Sequence, residues 1–343
     1  MARTKTSGTS KSKSSTASRK KNSSSSTFHI PYRLKGWVSV LLVGGVLAVG
    51  NWFAHLPATE RAHFGALEPT LEKVGNITAG LTDAVGLTGR DASVAYTGKL
   101  PKQDKFFFGK IAVTDPRKAV KDIQLLKRQA YWVGWSPVCG HPAYVVYTVP
   151  TSKVLNAPPE RPPFVVDPEA TDCPTPEDYT RSGYDRGHMA PNYLIATRYG
   201  KAAQKETFLM SNIVPQSPEL NRGPWRILEQ IVADELTEQG VELWVITGPV
   251  PAEKKTYIKR GKARIPKGFF KIIASVKEGR LRAIGFYMPQ DIRSDKHPRY
   301  CFTSIDQIEM MTGLNFFTSL SEADQAILES VEPTRFWPKA ELF

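Results

Sequence analysis

The sequence predicts an α+β domain preceded by one transmembrane helix, because three patterns occur along the chain. Short aromatic and β-branched runs at 130–135 and 143–149 are typical of strands joined by a loop. Apolar residues at helical spacing follow at 225–239. A long uncharged apolar stretch near the N-terminus is typical of a membrane span. Further strand-like runs lie at 241–248, 269–276 and 281–288.

The last 40 or so residues predict two more helices, at 304–312 and 321–330. A hydroxyl side chain at 303 or 304 would cap the first of them. Ser321 with Asp324 resembles a capping box at the start of the second. These two helices follow the strand-like runs in the chain.

Positive charge is concentrated in residues 1–35, which are predicted to form a disordered basic tail. The 343-residue chain has a formal net charge of +13, and this tail holds nine Lys and Arg residues but no Asp or Glu. The remainder therefore carries only +4, so bulk basicity says little about nucleic-acid binding. A tail rich in Ser, Thr and Lys buries too little apolar surface to offset its ordering entropy.

Residues 36–56 predict a transmembrane signal anchor. The stretch is uncharged and apolar, and Trp37 and Trp52 stand near its two ends, as interfacial aromatic residues do. A cleaved signal peptide is the alternative, although the run lies far from the N-terminus. Because positive charge stays on the cytoplasmic side, the larger C-terminal part is expected to be extracytoplasmic and periplasm-facing. The alternative location is the mitochondrial inner membrane, with that part facing the intermembrane space.

Composition divides the rest of the chain into a stalk or linker at 57–105 and a folded domain at 106–343. The stalk includes a segment rich in Gly, Thr and Ala. In an oxidising compartment, three cysteines leave one pair and one free thiol. We predict that Cys139 pairs with Cys173, since both lie in loops flanking the motif described next, and that Cys301 is a buried free thiol.

A polar motif at 182–192, Ser-Gly-Tyr-Asp-Arg-Gly-His-Met-Ala-Pro-Asn, is the candidate site. His188 is its strongest candidate for a reactive group, because only an imidazole has an unperturbed pKa close to neutral. Downstream, the amides of Asn212 and Asn221 and the carboxylate of Glu229 offer hard oxygen ligands for a cation.

These motifs resemble the DNA/RNA non-specific endonucleases. The resemblance is carried by Asp-Arg-Gly-His at 185–188, Ser-Asn-Ile-Val-Pro-Gln at 211–216, Leu-Asn at 220–221, and Trp225 with Glu229. It extends from about residue 108 to the C-terminus through Trp-Val-Ile-Thr-Gly-Pro at 244–249 and further segments. One departure from the family pattern is Pro224, directly after Gly223.

The resemblance implies a central antiparallel sheet flanked by helices, with a ββα-metal motif that carries the site. His188 would act as general base. Asn221 would be the direct protein ligand of one hydrated Mg²⁺, with Mn²⁺ as a substitute, and Glu229 would orient the waters of that ion. Arg186 would stabilise the transition-state phosphate or hold its loop in place.

The remaining candidates have supporting roles. Asp185 is predicted to be structural, and Asn212 and Gln216 to hold the metal loop or simply to form turns. Four cations are candidate phosphate contacts, with ordinary surface charge as the alternative: Arg181, Arg222, Arg226 and Lys271.

The expected function is that of a membrane-anchored, Mg²⁺-dependent endonuclease that acts on DNA and RNA without sugar specificity. Its partners would be DNA, RNA and a membrane through 36–56, and the resemblance also implies a homodimer. Two alternatives are a phosphodiesterase or pyrophosphatase acting on small nucleotides and a non-catalytic, membrane-tethered nucleic-acid-binding protein.

Overall fold

One antiparallel sheet of eight strands organises the fold. The computed structural model describes residues 93–97, 109–117, 122–237, 240–258 and 261–331. The strands are β1 (Ser93–Ala95), β2 (Ala112–Val113), β3 (Gln124–Lys127), β4 (Tyr131–Ser136), β5 (His141–Val149), β6 (Asp185–His188), β7 (Ile213–Gln216), β8 (Leu243–Val250), β9 (Gly268–Lys277), β10 (Arg280–Pro289), β11 (Phe302–Thr303) and β12 (Leu314–Asn315).

The central sheet has the strand order β1-β10-β9-β8-β5-β4-β3, and β11 also pairs with β10. All of these pairs are antiparallel. The predicted central antiparallel sheet is therefore present. Two small sheets complete the described part, one formed by β2 with β12 and the other by β6 with β7.

Both faces of the central sheet are buried, which explains why its strands read as almost continuous apolar runs. Side chains alternate along each strand. Phe269 and Ile273 of β9 contribute to one apolar cluster, together with Trp225 and Leu228. Phe270 and Ile272 contribute to a second cluster on the opposite face.

Helices cover both faces of the sheet. The α-helices are α1 (Asn192–Tyr199), α2 (Lys201–Glu206), α3 (Pro218–Leu220), α4 (Arg226–Gln230), α5 (Ile305–Thr312) and α6 (Glu322–Glu329). Short 3₁₀ turns lie at Pro176–Tyr179, Met210–Asn212 and Pro298–Tyr300, and π-type turns at Asn221–Trp225 and Ile231–Glu235. The two predicted C-terminal helices are confirmed. Ser304 caps α5 through Gln307 N, and Ser321 caps α6 through Asp324 N.

The unit that positions the candidate site consists of β6, β7 and the helical segment that follows. Asp185 pairs with Gln216 and His188 pairs with Ile213 across the two strands. A long connection containing α1 and α2 joins β6 to β7. After β7 the chain enters α3, a π-type turn and α4. This is the ββα arrangement that the resemblance implies.

The segment 225–239 was predicted as a helix, and the structure shows α4 continuing into the π-type turn Ile231–Glu235. Leu228 and Val232 are completely buried in the same apolar cluster as Trp225. Residues 238 and 239 lie outside the described part. Helical spacing of apolar residues thus identified the helix and the face that it buries.

The stalk prediction requires a correction at its C-terminal end. Ser93–Ala95 falls within the predicted linker 57–105, yet it pairs with Arg280–Arg282 at the edge of the central sheet, and Val94 is buried. Three residues are too few to give a strand pattern in the sequence. The sheet therefore begins upstream of residue 106.

The predicted disulfide is wrong, because Cys139, Cys173 and Cys301 are all free thiols. Cys139 lies at the turn between β4 and β5, whereas Cys173 packs partly buried beside Tyr179 and Ile213. The prediction of a buried free thiol at Cys301 is confirmed. Burial raises the pKa of the Cys301 thiol to about 11.

The basic tail and the predicted membrane span at 36–56 lie outside the described residues. Within the described part, no helix combines the length and apolar character that crossing a bilayer requires. The membrane anchor therefore stays a prediction.

Three carboxylates meet between α5 and α6. Oxygen atoms of Asp306, Glu309 and Glu329 all lie within 4.8 Å of one another. Glu329 is almost fully buried, and its Oε1 has no hydrogen-bond partner among the described residues. Burial raises the pKa of Glu329 to about 9, and Glu309 and Asp306 act in the same direction.

We expect the Glu329→Gln substitution to stabilise the protein near pH 8 and to have little effect near pH 4. The Glu329 carboxyl group binds its proton more tightly in the folded state than in the unfolded chain. The folded state therefore loses stability as the pH rises from about 4.5 towards 9. Removing the charge should raise the free energy of unfolding by about 1–3 kcal/mol near pH 8. Urea unfolding at both pH values measures this, with exposed Glu322→Gln as control. Equal effects at the two pH values would contradict it.

Candidate active site

The carboxylate of Asp185 ties β6 to the start of the helical segment. Asn221 Nδ2 donates to Asp185 Oδ2 at 2.9 Å, and Arg222 donates to both oxygens at 2.7 and 2.8 Å. Burial raises the pKa of Asp185, but the hydrogen bonds from Arg222 and Asn221 outweigh it and lower the pKa overall. Asp185 therefore holds the Asn221 amide and the Arg222 guanidinium in place.

His188 ends β6 between two aromatic side chains. Its ring centroid lies 5.4 Å from that of Phe164 and 5.0 Å, edge to face, from that of Phe208. Nε2 is buried and has no hydrogen-bond partner among the described residues. Burial lowers the pKa of His188 to about 3, and the charge of Arg161 contributes to the same shift. The imidazole is therefore neutral at physiological pH and retains a lone pair.

Arg161 is the cation that acts most directly on His188. Its side chain is exposed, and its Cζ lies 5.5 Å from the centroid of the Phe208 ring. Within the described residues it forms no ion pair with a carboxylate, so its guanidinium is available to an anion.

Asn221 stands at a kink that Gly223 and Pro224 impose on the helical segment. Gly223 has non-helical angles (φ −99°, ψ −116°), which agrees with the exclusion of the α region before proline. A Cβ at Gly223 would lie 2.7 Å from Ser294 O, so this close approach requires glycine. The departure noted at Pro224 therefore has a structural role. It separates the turn that carries Asn221 from α4.

Glu229 lies on α4, half-buried, and its Oε1 has no partner among the described residues. Burial raises its pKa, and the Lys271 cation opposes that shift. Lys271 is completely buried on β9, with Nζ 4.4 Å from the centroid of the Trp225 ring and 3.4 Å from Tyr147 Oη. The predicted phosphate contact through Lys271 is therefore wrong. Alternation along β9 turns this residue towards the interior, beneath the helix that carries Glu229.

Asn212 and Gln216 are both completely buried. Asn212 accepts from Ala190 N at 2.8 Å and donates to Ala190 O and Thr207 O at 3.0 Å each, so it fixes the chain just after His188. The Gln216 amide has no partner among the described residues and packs against Gly187, where a Cβ would lie 2.3 Å from Gln216 Oε1. Asn212 thus fixes the chain after β6, and Gln216 fills the space beside Gly187.

The other arginines near the motif differ in the contacts that their side chains make. Arg186 Nη2 donates to Pro176 O at 2.5 Å, and its Cζ lies 5.4 Å from the centroid of the Phe164 ring. Of its two predicted alternatives, this geometry favours holding the loop. Arg226 is exposed and donates to Arg222 O at 3.1 Å. Arg181 is exposed on the loop before β6. The roles assigned to these arginines remain predictions.

The structure thus joins Asn221 to the strand of His188 through Asp185 and places Glu229 on the next helix. No hydrogen bond among the described residues links His188, Asn221 and Glu229 directly. Arg161 and the aromatic pair Phe164 and Phe208 were not predicted as site residues from the sequence. The one local indication was the position of Arg161 in the Pro-rich segment that leads into the 182–192 motif.

This arrangement has the groups that phosphodiester hydrolysis requires. A neutral imidazole can accept a proton from water, and exposed guanidinium groups can bind phosphate oxygens. The Asn221 amide oxygen and Glu229 Oε1, neither of which has a hydrogen-bond partner among the described residues, are hard donors suited to a hydrated divalent cation.

Comparisons with known proteins agree with this chemistry. The family model described as DNA/RNA non-specific endonuclease matches residues 114–323. A nuclease of Nostoc sp. is 33% identical over 229 residues, which cover 63% of this chain and 81% of that protein.

Two mitochondrial proteins are also similar. Nuclease EXOG of Danio rerio is 34% identical over 170 residues, 46% of this chain and 49% of that protein. Endonuclease G of Homo sapiens is 32% identical over 158 residues, 43% of this chain and 52% of that protein. This chain therefore spans about half the length of these mitochondrial relatives. Because the family match takes in more than half of the chain and the whole site from Arg161 to Lys271, the chain belongs to the DNA/RNA non-specific endonucleases, which hydrolyse phosphodiester bonds.

Proposed function

We propose that the protein is a membrane-anchored endonuclease that uses Mg²⁺ and hydrolyses both DNA and RNA. The observation that carries this proposal is the Asp185 clamp, which fixes an amide oxygen donor beside the strand that ends in a neutral, unpartnered imidazole. Family membership supports a divalent metal cofactor. The choice of Mg²⁺ rests on the donor set, since amide and carboxylate oxygens suit a hard ion that keeps several waters. Mn²⁺ would substitute for it.

The residues of the site fit such an ion. Asn221 Nδ2 is bound to Asp185, which leaves Oδ1 as the atom that would hold the metal. The unpartnered Glu229 Oε1 would accept hydrogen bonds from the hydration shell of the ion. When bound, the ion supplies positive charge that stabilises the transition state at the phosphate.

His188 would act as general base through Nδ1. Nε2 is buried against the aromatic residues, so it would carry the ring proton, and Nδ1 would accept a proton from the attacking water. Arg161, next to the same aromatic wall, would bind a non-bridging phosphate oxygen and hold the phosphate in front of the imidazole. Arg186 would keep its loop in place through Pro176 O.

Low sequence preference follows from these contacts. His188 is assigned to the attacking water, Asn221 and Glu229 to the metal ion, and Arg161 to the phosphate. All of these groups therefore act at the phosphodiester and none is assigned to a base. Phosphate contacts carry no direct sequence information, and none of the assigned groups reads the 2′ position. A site of this kind would accept DNA and RNA alike.

Removing His188 should lower kcat by about 10²- to 10⁴-fold, with substrate binding less affected. The full-length His188→Ala variant would be assayed on plasmid DNA and on RNA with Mg²⁺. Added imidazole should restore part of the activity, which a folding defect would not permit. Cleavage near the wild-type rate would eliminate His188 as the base.

Removing the metal or its ligand should stop cleavage. EDTA and Asn221→Ala should each abolish activity, whereas Asp185→Asn should weaken apparent metal affinity by about 10- to 100-fold, because it loosens the contacts to Asn221 and Arg222 but leaves Asn221 Oδ1 in place. Excess Mg²⁺ should therefore recover Asp185→Asn but not Asn221→Ala. Mn²⁺ binding followed by electron paramagnetic resonance provides a readout independent of turnover. Cleavage that resists EDTA would contradict the metal role.

The nuclease domain is proposed to face an extracytoplasmic space, with residues 36–56 as the anchor. The support is the uncharged apolar run behind a tail of nine cations. The alternative, a mitochondrial inner-membrane location facing the intermembrane space, is supported by relatives whose names are mitochondrial. A homodimer is a further proposal that rests on the family resemblance.

Protease added to intact cells or spheroplasts should digest a C-terminally tagged nuclease domain and leave an N-terminal tag protected. The two tags on the full-length chain serve as controls for each other, and detergent should expose both. A C-terminal tag that is protected until lysis would contradict the extracytoplasmic orientation. Co-fractionation with mitochondria would select the alternative.

A further inference from the structure

A groove of about 440 Å³ opens between the end of β10 and β11, outside the catalytic residues assigned above. Its walls combine aromatic and cationic side chains. They include Tyr287, Arg293, Lys296, Tyr300 and Phe302. Such a combination suits a polyanion whose repeating units also carry flat rings.

Tyr300 is the main exposed aromatic side chain of the groove. It is 60% exposed, and the Pro298–Tyr300 turn, in which Pro298 is buried, fixes its backbone. Lys296 Nζ lies 4.5 Å from the ring centroid and Arg299 Cζ lies 4.9 Å from it. Arg299 also donates to Tyr300 Oη at 3.0 Å.

The two flanking cations are available to a ligand. Arg293 is paired with Asp295 at 2.8 Å, whereas Lys296 and Arg299 form no ion pair with any described carboxylate. Both have long exposed side chains, so they can leave the ring for a phosphate while a base takes their place against it. Tyr287 Oη lies in the same groove, buried and without a partner among the described residues, which leaves a polar group for a base or sugar.

The groove is joined to the metal loop by packed backbone. Ser294, between Arg293 and Asp295, lies against Gly223, two residues after Asn221. Gln290 accepts from Ser217 N at 2.8 Å and donates to Pro215 O at 2.7 Å, which ties the end of β10 to β7 and to the turn after it. Tyr300 follows Ser294 by six positions, so the two Cα atoms lie at most about 22 Å apart. That span corresponds to a few nucleotides of extended single strand.

We propose that this groove is an extended substrate subsite for single-stranded nucleic acid. An unpaired base stacks on Tyr300, and Lys296 and Arg299 bind the adjacent phosphates. A duplex presents its bases stacked inside the helix, so it gains the phosphate contacts but not the stacking. The subsite therefore favours single strands over duplexes. The inference rests on the proposed nuclease function and names the form of substrate that the same site prefers.

The test compares full-length Tyr300→Ala, Tyr300→Phe and wild type on three substrates. These are a single strand of about 12 nucleotides, within the site sizes of single-strand binders, its duplex, and a nitrophenyl ester of one nucleotide, which has no neighbouring base to stack on Tyr300. Tyr300→Ala should lower kcat/KM on the single strand about 5- to 100-fold, lower it less on the duplex and leave the ester unchanged. Tyr300→Phe, which keeps the ring, should remain within about 2-fold of wild type. Tyr257→Ala removes another exposed tyrosine and serves as matched control.

Binding in EDTA separates this subsite from catalysis. Affinity for the single strand would be measured by fluorescence anisotropy at several salt concentrations. The double variant Lys296→Gln/Arg299→Gln should reduce the slope of log affinity against log salt concentration by about 1.4, since each of the two phosphate contacts contributes about 0.7. Unchanged single-strand kinetics and binding in Tyr300→Ala would overturn the subsite, as would equal loss on the mononucleotide ester. If wild type cleaves nothing, the proposed function fails, and the anisotropy measurement alone decides the subsite.

Discussion

The geometry of the site depends on one carboxylate. Asp185 lies 36 residues before Asn221, and its two oxygens accept three hydrogen bonds, one from the Asn221 amide and two from the Arg222 guanidinium. These bonds fix which atom of Asn221 faces outward, because a donating Nδ2 leaves Oδ1 for a ligand. The net lowering of the Asp185 pKa keeps the carboxylate charged at neutral pH. The clamp is therefore a permanent part of the fold, already present before substrate binds.

The second constraint is the two-sided burial of the central sheet. Strict alternation sends Phe269, Lys271 and Ile273 of β9 towards the helix that carries Glu229, and Phe270 and Ile272 towards α5 and α6. Lys271 is completely buried at this position of the sheet, and the charge of Glu229 compensates its own. The buried cation in turn opposes the rise in the Glu229 pKa that burial causes. Sheet register thus influences the charge of a residue in the site.

The sequence predicted the long strands β8 to β10 and the capped helices α5 and α6, because each has a local pattern, whereas the ββα unit was implied by the resemblance of its motifs to the family. It failed where the outcome depends on distant packing. Lys271 looks like any strand lysine until the helix above it is placed. The edge strand β1 is defined only by its partner β10. Arg161 acts on His188 through proximity that no spacing reveals. The predicted bond between Cys139 and Cys173 likewise failed, because a disulfide requires the two Cα atoms to lie close together, and nearness to the same motif in the sequence does not ensure this.

A base with a strongly lowered pKa is reliably neutral but binds protons weakly, and the proposed contact of Arg161 with phosphate would ease that conflict at His188. Burial is the largest cause of the low pKa of His188, and the positive charge of Arg161 adds to it. A phosphate that pairs with Arg161 cancels this second contribution, because its negative charge then lies next to the guanidinium. In the proposed mechanism the imidazole would therefore become more basic when substrate is bound and would stay unprotonated when the site is free. In this proposal Arg161, exposed beside Phe208, would couple substrate binding to proton transfer at His188.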